Sequence, residues 1–141
     1  MPPGHKTLYL TFDDGPHPEA TPFVLDLLDQ YQAKATFFCI GNNTTAYRQQ
    51  YNSIPDRGHR VGNHPFHHLN GWKTADEVYL ADIEAAAKEI DSRLFRPPYG
   101  RISRFQLTLL EGKLIPVMWT VLSGDFDPGI SWEKCVENVT A

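Results

Sequence analysis

Two adjacent carboxylates, Asp13 and Asp14, close an apolar run within Thr11-Phe12-Asp13-Asp14-Gly15-Pro16. On so tight a turn neighbouring side chains need not point the same way, so one can ligate an ion while the other moves a proton. The other role open to such a pair is an Asx turn ahead of a helix. His64 and His68, separated by three residues in a segment punctuated by Gly, Asn and Pro, have a spacing that in one helical turn places two imidazoles on the same side. Zinc accepts imidazole and carboxylate ligands, and its catalytic sites use three protein ligands while leaving a position for water. Asp14 can be the third ligand.

Arg96 begins Arg96-Pro97-Pro98-Tyr99-Gly100, where its fork could pair with a carboxylate such as Asp13 and hold it ionised and oriented. Asp125 and Asp127 flank Phe126, with Trp119 and Trp132 nearby, and taken alone they read as solvated loop residues. His5 and His59 read as surface or satisfied polar groups, and His67 as a bystander whose side chain points away from its neighbour's. Cys39 and Cys135 are too few for a disulfide framework and are not spaced for zinc, so both read as buried or half-buried thiols.

Something must bring these residues together, and the pattern of the chain supplies it. Residues 7–12 form a β-branched and aromatic run that ends in turn chemistry, so the carboxylates sit at the C-terminal end of a strand. Residues 18–31 have helical spacing. Residues 35–40 (ATFFCI) have the unbroken apolar character of a strand covered on both faces, ended by Gly41-Asn42-Asn43. A weaker helix over 44–51 and a short strand over 60–62 follow, the latter opening into Asn63-His64-Pro65.

The strongest helical pattern spans 74–92, with Thr74 as cap, Glu77 completing a capping box, and Val78, Ala81, Ile83, Ala86 and Ile90 as its apolar face. Strand over 94–96, helix over 105–112 stopped by Gly112, strand over 115–121 and a last helix from Ser131 complete the series. Alternating strands and helices predict an α/β fold with a parallel sheet, whose ligands bind beyond the carboxyl ends of the strands. The polar clusters fall at those ends.

With 141 residues, 41% of them hydrophobic, the chain has the length and apolar content of one domain, residues 1–141, and neither repeat nor linker divides it. A formal charge of −4 lacks the basic excess that a phosphate backbone would exploit, so nucleic acid is not an expected partner. No apolar run is long enough for a membrane span, and the polar start MPPGHK lacks the apolar core of a signal peptide.

The TFDDGP run, His64 with His68, the RPPYG run and residues 119–127, in this order, resemble the motifs of the NodB-homology polysaccharide deacetylases, carbohydrate esterase family four. The resemblance covers nearly the whole chain. It implies a deformed (β/α) barrel and one divalent ion, usually zinc, held by Asp14, His64 and His68. It implies further that Asp13 is the general base for water, that Arg96 orients Asp13, that the Tyr99 N–H helps to bind the oxyanion and that Asp125 tunes a catalytic histidine. Pro98, Tyr99 and Trp119 would then contact the sugar. The implied reaction is hydrolysis of N-acetyl groups from an N-acetylglucosamine-containing polysaccharide, chitin-like or peptidoglycan, in an extracellular or cell-envelope setting.

The chain departs from the resemblance at two places. Pro65 stands where the family generally has Ser or Thr; proline suits a first turn after His64, so the two imidazoles are still expected to converge. The sequence also reaches Ala141 before the family's apolar strand ending in histidine, which supplies the general acid. The expectation is therefore an incomplete barrel with an open sheet edge that invites dimerisation, and His17 or His67 as replacement acid. Two alternatives accompany it: an O-acetyl xylan esterase, and a catalytically incomplete, metal-loaded domain that binds N-acetylated sugars through Trp72, Tyr99, Trp119 or Trp132.

Overall fold

The computed structural model describes residues 7–140. The polar start with His5, and Ala141, lie outside the described residues. Five strands form one parallel sheet in chain order: β1 (Leu10–Asp13), β2 (Ala35–Ile40), β3 (Arg60–His64), β4 (Leu94–Phe95) and β5 (Ile115–Pro116). A doubly wound sheet reverses its strand order partway, whereas a (β/α) barrel adds each strand beside the last. The observed order is that of the barrel, and among the described residues the sheet does not close on itself, with β1 and β5 at its edges.

Between the strands lie α1 (Ala20–Gln30), α2 (Gly41–Ala46), α3 (Arg48–Asp56), α4 (Asp76–Ala87) and α5 (Arg104–Leu110), and α6 (Trp132–Thr140) ends the described chain. Strand β2 is central, and Phe37, Phe38 and Cys39 are all buried, which is why its sequence is apolar at successive positions. One core cluster joins Leu25 and Leu28 of α1, Phe37 and Cys39 of β2, Ile54 of α3 and Ala86 of α4; a second joins Tyr79, Ile83, Phe95 and Leu110. No helix among the described residues is long and apolar enough to cross a membrane.

Several elements depart from expectation. The segment over 44–51 is two helices broken at Tyr47, and Gly41, which ends β2 as expected, also begins the first of them. Helix α4 starts at Asp76 behind Ala75 and receives no side-chain cap from Thr74. Its buried face is Tyr79, Asp82, Ile83 and Ala86, while Val78 is 55% exposed. Asp76 is instead an acceptor for Gln106 Nε2 at 2.8 Å, which ties α4 to α5. The capping box is at α5, where Ser103 Oγ accepts the Gln106 N–H and Gln106 Oε1 accepts the Ser103 N–H.

Strand β5 stops at Pro116 rather than running to Val121. Proline cannot donate to a ladder, and the next two carbonyls, of Val117 and Met118, turn instead toward the guanidinium of Arg96.

Candidate active site

The parallel register places Asp13 opposite Phe38 and Ile40 opposite His64, and Asn63 opposite Phe95, so Asp13, His64 and Arg96 emerge at one edge of the sheet. That edge is formed by the carboxyl ends of the strands, as the sequence predicts.

Arg96 anchors it. Its residue exposure is 3%, and its guanidinium donates to Asp13 Oδ1 at 2.7 Å, to Thr11 Oγ1 at 2.8 Å, to the Val117 carbonyl at 3.0 Å and to the Met118 carbonyl at 3.3 Å. The Phe38 ring lies 4.1 Å beneath it and the Trp119 ring 5.7 Å away. Every edge of the fork is committed, so Asp13 is held by a group that cannot itself turn. Partial burial pushes the Asp13 carboxyl above its ordinary pKa, while the nearby charges of His64 and Arg96 pull it back.

Asp14, His64 and His68 converge. Asp14 Oδ1 lies 3.3 Å from His64 Nε2 and 3.1 Å from His68 Nε2, and one ligand atom from each lies within 4.8 Å of the others. Zinc–ligand bonds of about 2.0–2.2 Å in a tetrahedron require ligand atoms about 3.4 Å apart. Hydrogen bonding to the two histidines holds the Asp14 carboxyl well below the usual carboxylate range.

The tautomer of His64 adds a chemical argument. Its Nδ1 lies 2.7 Å from the Arg96 carbonyl, an acceptor, so Nδ1 carries a proton and Nε2 is the nitrogen turned toward Asp14. Two nitrogens and one oxygen around a shared point, with the His64 ring already fixed through its other nitrogen, fit a divalent ion such as zinc.

The convergence is not that of a helical turn. His64 is the last residue of β3, Pro65 follows, and a turn at Phe66 and His67 delivers His68 in the left-handed region at φ +57°. Asp14 at +67° and Tyr99 at +58° adopt the same region, so three of the four non-glycine residues with positive φ among the described residues belong to this site. Each such residue costs about 1–3 kcal/mol and persists where the surroundings over-determine it. At Asp14 one such restraint is Asn43, whose side-chain amide donates to the Asp14 carbonyl at 2.9 Å.

Tyr99 is 62% exposed, with its ring edge-on to His68 at 4.8 Å between centroids. Pro98 is buried behind it, and Trp119 is half-buried above Gly100, whose φ of +65° and missing Cβ admit the indole. These three line one side of the site.

Other residues singled out in the sequence lie apart from it. Asp125 is exposed and accepts the Ser123 hydroxyl at 2.5 Å; no histidine among the described residues is hydrogen-bonded to it. Asp127 accepts the Gly129 N–H within its own turn. His17 Nδ1 accepts the N–H groups of Glu19 and Ala20 at the start of α1, and buried His59 accepts the Ala35 N–H. Trp72 is exposed under the Arg101 guanidinium, and Trp132 is exposed on α6.

Sequence reasoning missed Thr11 as a partner of Arg96, and the buried Asp82, which binds His67. A carboxylate inside the apolar stripe of α4 was the one available signal for the latter. A cleft of about 610 Å³ opens at the opposite edge of the sheet, lined by His59, Arg60, Asp91 and Arg93, and it contains no comparable donor set.

Residues 1–111 match the sequence profile of the polysaccharide deacetylases. The chain belongs to that family. It is 38% identical over 138 residues to a peptidoglycan-N-acetylglucosamine deacetylase of Bacillus cereus, covering 92% of this chain and 50% of the relative. It is 37% identical over 130 residues to a chitooligosaccharide deacetylase of Azorhizobium caulinodans, covering 86% and 62%. The chain thus spans half or somewhat more of the length of these deacetylases. Among solved structures, the peptidoglycan deacetylase PdaC of Bacillus subtilis superposes with a TM-score of 0.88 at 30% identity, covering 99% of this chain and 70% of that one. The α/β fold with an incomplete barrel is therefore that of a polysaccharide deacetylase.

Proposed function

We propose that this deacetylase-family chain is one domain, residues 1–141, that hydrolyses N-acetyl groups from an N-acetylglucosamine-containing polysaccharide of the peptidoglycan or chitin type, using a zinc ion held by Asp14, His64 and His68. The observation that carries the reading is the placement of this donor set beside Asp13, a second carboxylate that is not a member of it and is fixed by Arg96. A divalent ion, when bound, polarises the acyl carbonyl and lowers the pKa of water.

The protein's own residues do the rest. Arg96 occupies Asp13 Oδ1, which leaves Oδ2 to accept a proton from the attacking water. Positioning of this kind typically contributes roughly 100- to 10,000-fold. The leaving amine also takes up a proton, and His17 and His67 are the histidines read from the sequence as its donor in place of the family's own. The Tyr99 N–H, presented by a left-handed turn beside His68, is the donor assigned to the oxyanion, and Pro98, Tyr99 and Trp119 are assigned to the sugar. The peptidoglycan-directed relatives support a substrate in the cell envelope.

Acetate release from an N-acetylglucosamine oligomer, with and without a chelator, tests the reading; chelator-insensitive release would exclude it. Asp125 lacks a histidine partner among the described residues, and this favours a second reading, a metal-loaded glycan-binding domain. Zinc and oligomer binding without acetate release would select that one.

A further inference from the structure

His64 and His68 are oriented by different means. The ring of His64 is locked by its own Nδ1–H donating to the Arg96 carbonyl. No hydrogen-bond partner for His68 Nδ1 exists among the described residues; its ring packs edge-on to Tyr99 and tilted against His64, and only Nε2, which faces Asp14, meets a polar group. Metal-ligating histidines normally donate their second nitrogen to an acceptor, which fixes the ring. His68 must be aimed by its backbone instead.

That backbone is strained and therefore needs a tether. It is supplied from α4 by Asp82, whose side chain is only 5% exposed. Asp82 Oδ2 accepts the His67 N–H at 3.0 Å and Oδ1 accepts His67 Nδ1–H at 2.6 Å, while the Asp82 carbonyl accepts the Phe66 N–H at 3.2 Å. On the other side the Phe66 carbonyl accepts the Asn42 N–H at 3.1 Å, and the Phe66 ring fills the space a Cβ on Gly41 would take. Pro65, fully buried, contributes a fixed φ and no N–H. Residues 65–67 are thus clamped between α2 and α4 immediately before the chain enters the left-handed region at His68.

We propose that Asp82 is a positioning residue for the metal ligand His68: by gripping both the main chain and the ring of His67, it fixes the turn that delivers His68 to Asp14. The inference rests on the metal-site reading above. It assigns a purpose to a buried carboxylate whose only side-chain partner among the described residues is the exposed His67, and to a histidine outside the candidate donor set. Loss of such an indirect support typically lowers metal affinity about 10- to 100-fold.

Zinc affinity measured by competition with a chromophoric chelator, the visible spectrum of the cobalt(II) form, and thermal unfolding in chelator test this in four variants. Asp82→Ala is expected to lose about 10- to 100-fold in zinc affinity and to alter the cobalt spectrum. Asp82→Asn is expected to recover most of the affinity, because an amide oxygen still accepts the His67 N–H and its NH₂ can donate to the other tautomer of the ring. His67→Ala keeps the main-chain bond and should lose less than Asp82→Ala.

Parental zinc affinity and cobalt spectrum in folded Asp82→Ala overturn the proposal, as does equal loss in Asp82→Asn and Asp82→Ala. If Asp82→Ala does not fold, unchanged affinity in His67→Ala overturns it. His64→Ala separates the two levels: undiminished zinc binding there removes the metal-site reading itself, whatever Asp82 does.

Discussion

The guanidinium of Arg96 reaches Asp13 Oδ1 across 2.7 Å through Nη1, which also donates to Thr11, while Nε and Nη2 are spent on the Val117 and Met118 carbonyls, so the ion pair is fixed from the arginine side. Lysine carries the charge but has one nitrogen and no planar fork. Arg96→Lys is expected to lower kcat roughly 100-fold or more, as for a displaced base, with little change in zinc affinity. It also removes the donors of the Val117 and Met118 carbonyls, which are only partly buried, at a cost below the about 1–3 kcal/mol of a fully buried group. Steady-state kinetics and chelator competition on one preparation check both parts; unchanged kcat would remove Arg96 from the catalytic arrangement.

Asp13→Ala should retain zinc and lose turnover, whereas His64→Ala should lose zinc. Zinc at 100 times its dissociation constant should stabilise the fold by about 2.7 kcal/mol, because only the native state presents the three ligands together. Melting curves with added zinc, and again with chelator, read this out. The shift should vanish in His64→Ala and persist in Asp13→Ala.

His59 gives a pH dependence away from the site. It is 5% exposed, its Nδ1 accepts the Ala35 N–H, and burial lowers its pKa below the ordinary 6.5. The unfolded chain therefore binds this proton more readily than the folded one, and the stability due to neutral His59 is complete above pH 6.5 and lost as pH falls through the lowered value. In chelator, denaturant midpoints at pH 7.5 and 5.5 should differ more for the parent than for His59→Gln, which keeps an acceptor but does not titrate. Equal differences would contradict the assignment.

Burial pushes the Cys39 thiol up to about 12, and only the thiolate reacts. A thiol reagent at pH 8 is expected to modify half-buried Cys135 on the native protein and Cys39 only after denaturation. Mass spectrometry of the labelled peptides decides; early labelling of Cys39 would mean that the sheet opens locally.

What the sequence disclosed followed from what is local. The apolar run of β2 and the strand-then-turn ending at Asp13 are each encoded within a few residues. The candidate donor set Asp14, His64 and His68 is legible from residue type and order, but its geometry is not: His64 and His68 meet because β3 ends and a left-handed turn follows, not because a helix repeats. The cap assigned to Thr74 failed for a related reason, since Asp76 is engaged by Gln106 of another helix. Arg96 likewise shortens β5 by drawing away carbonyls that a strand would need. Long-range partners of this kind leave no periodic trace.

One residue serves both halves of the chemistry. Through its side chain Arg96 steadies Asp13, and through its carbonyl it steadies His64. A thermal excursion of the segment after β4 must carry Asp13 and His64 in the same direction, so their separation is buffered against breathing of the sheet. The main-chain half of that linkage does not depend on which side chain stands at position 96.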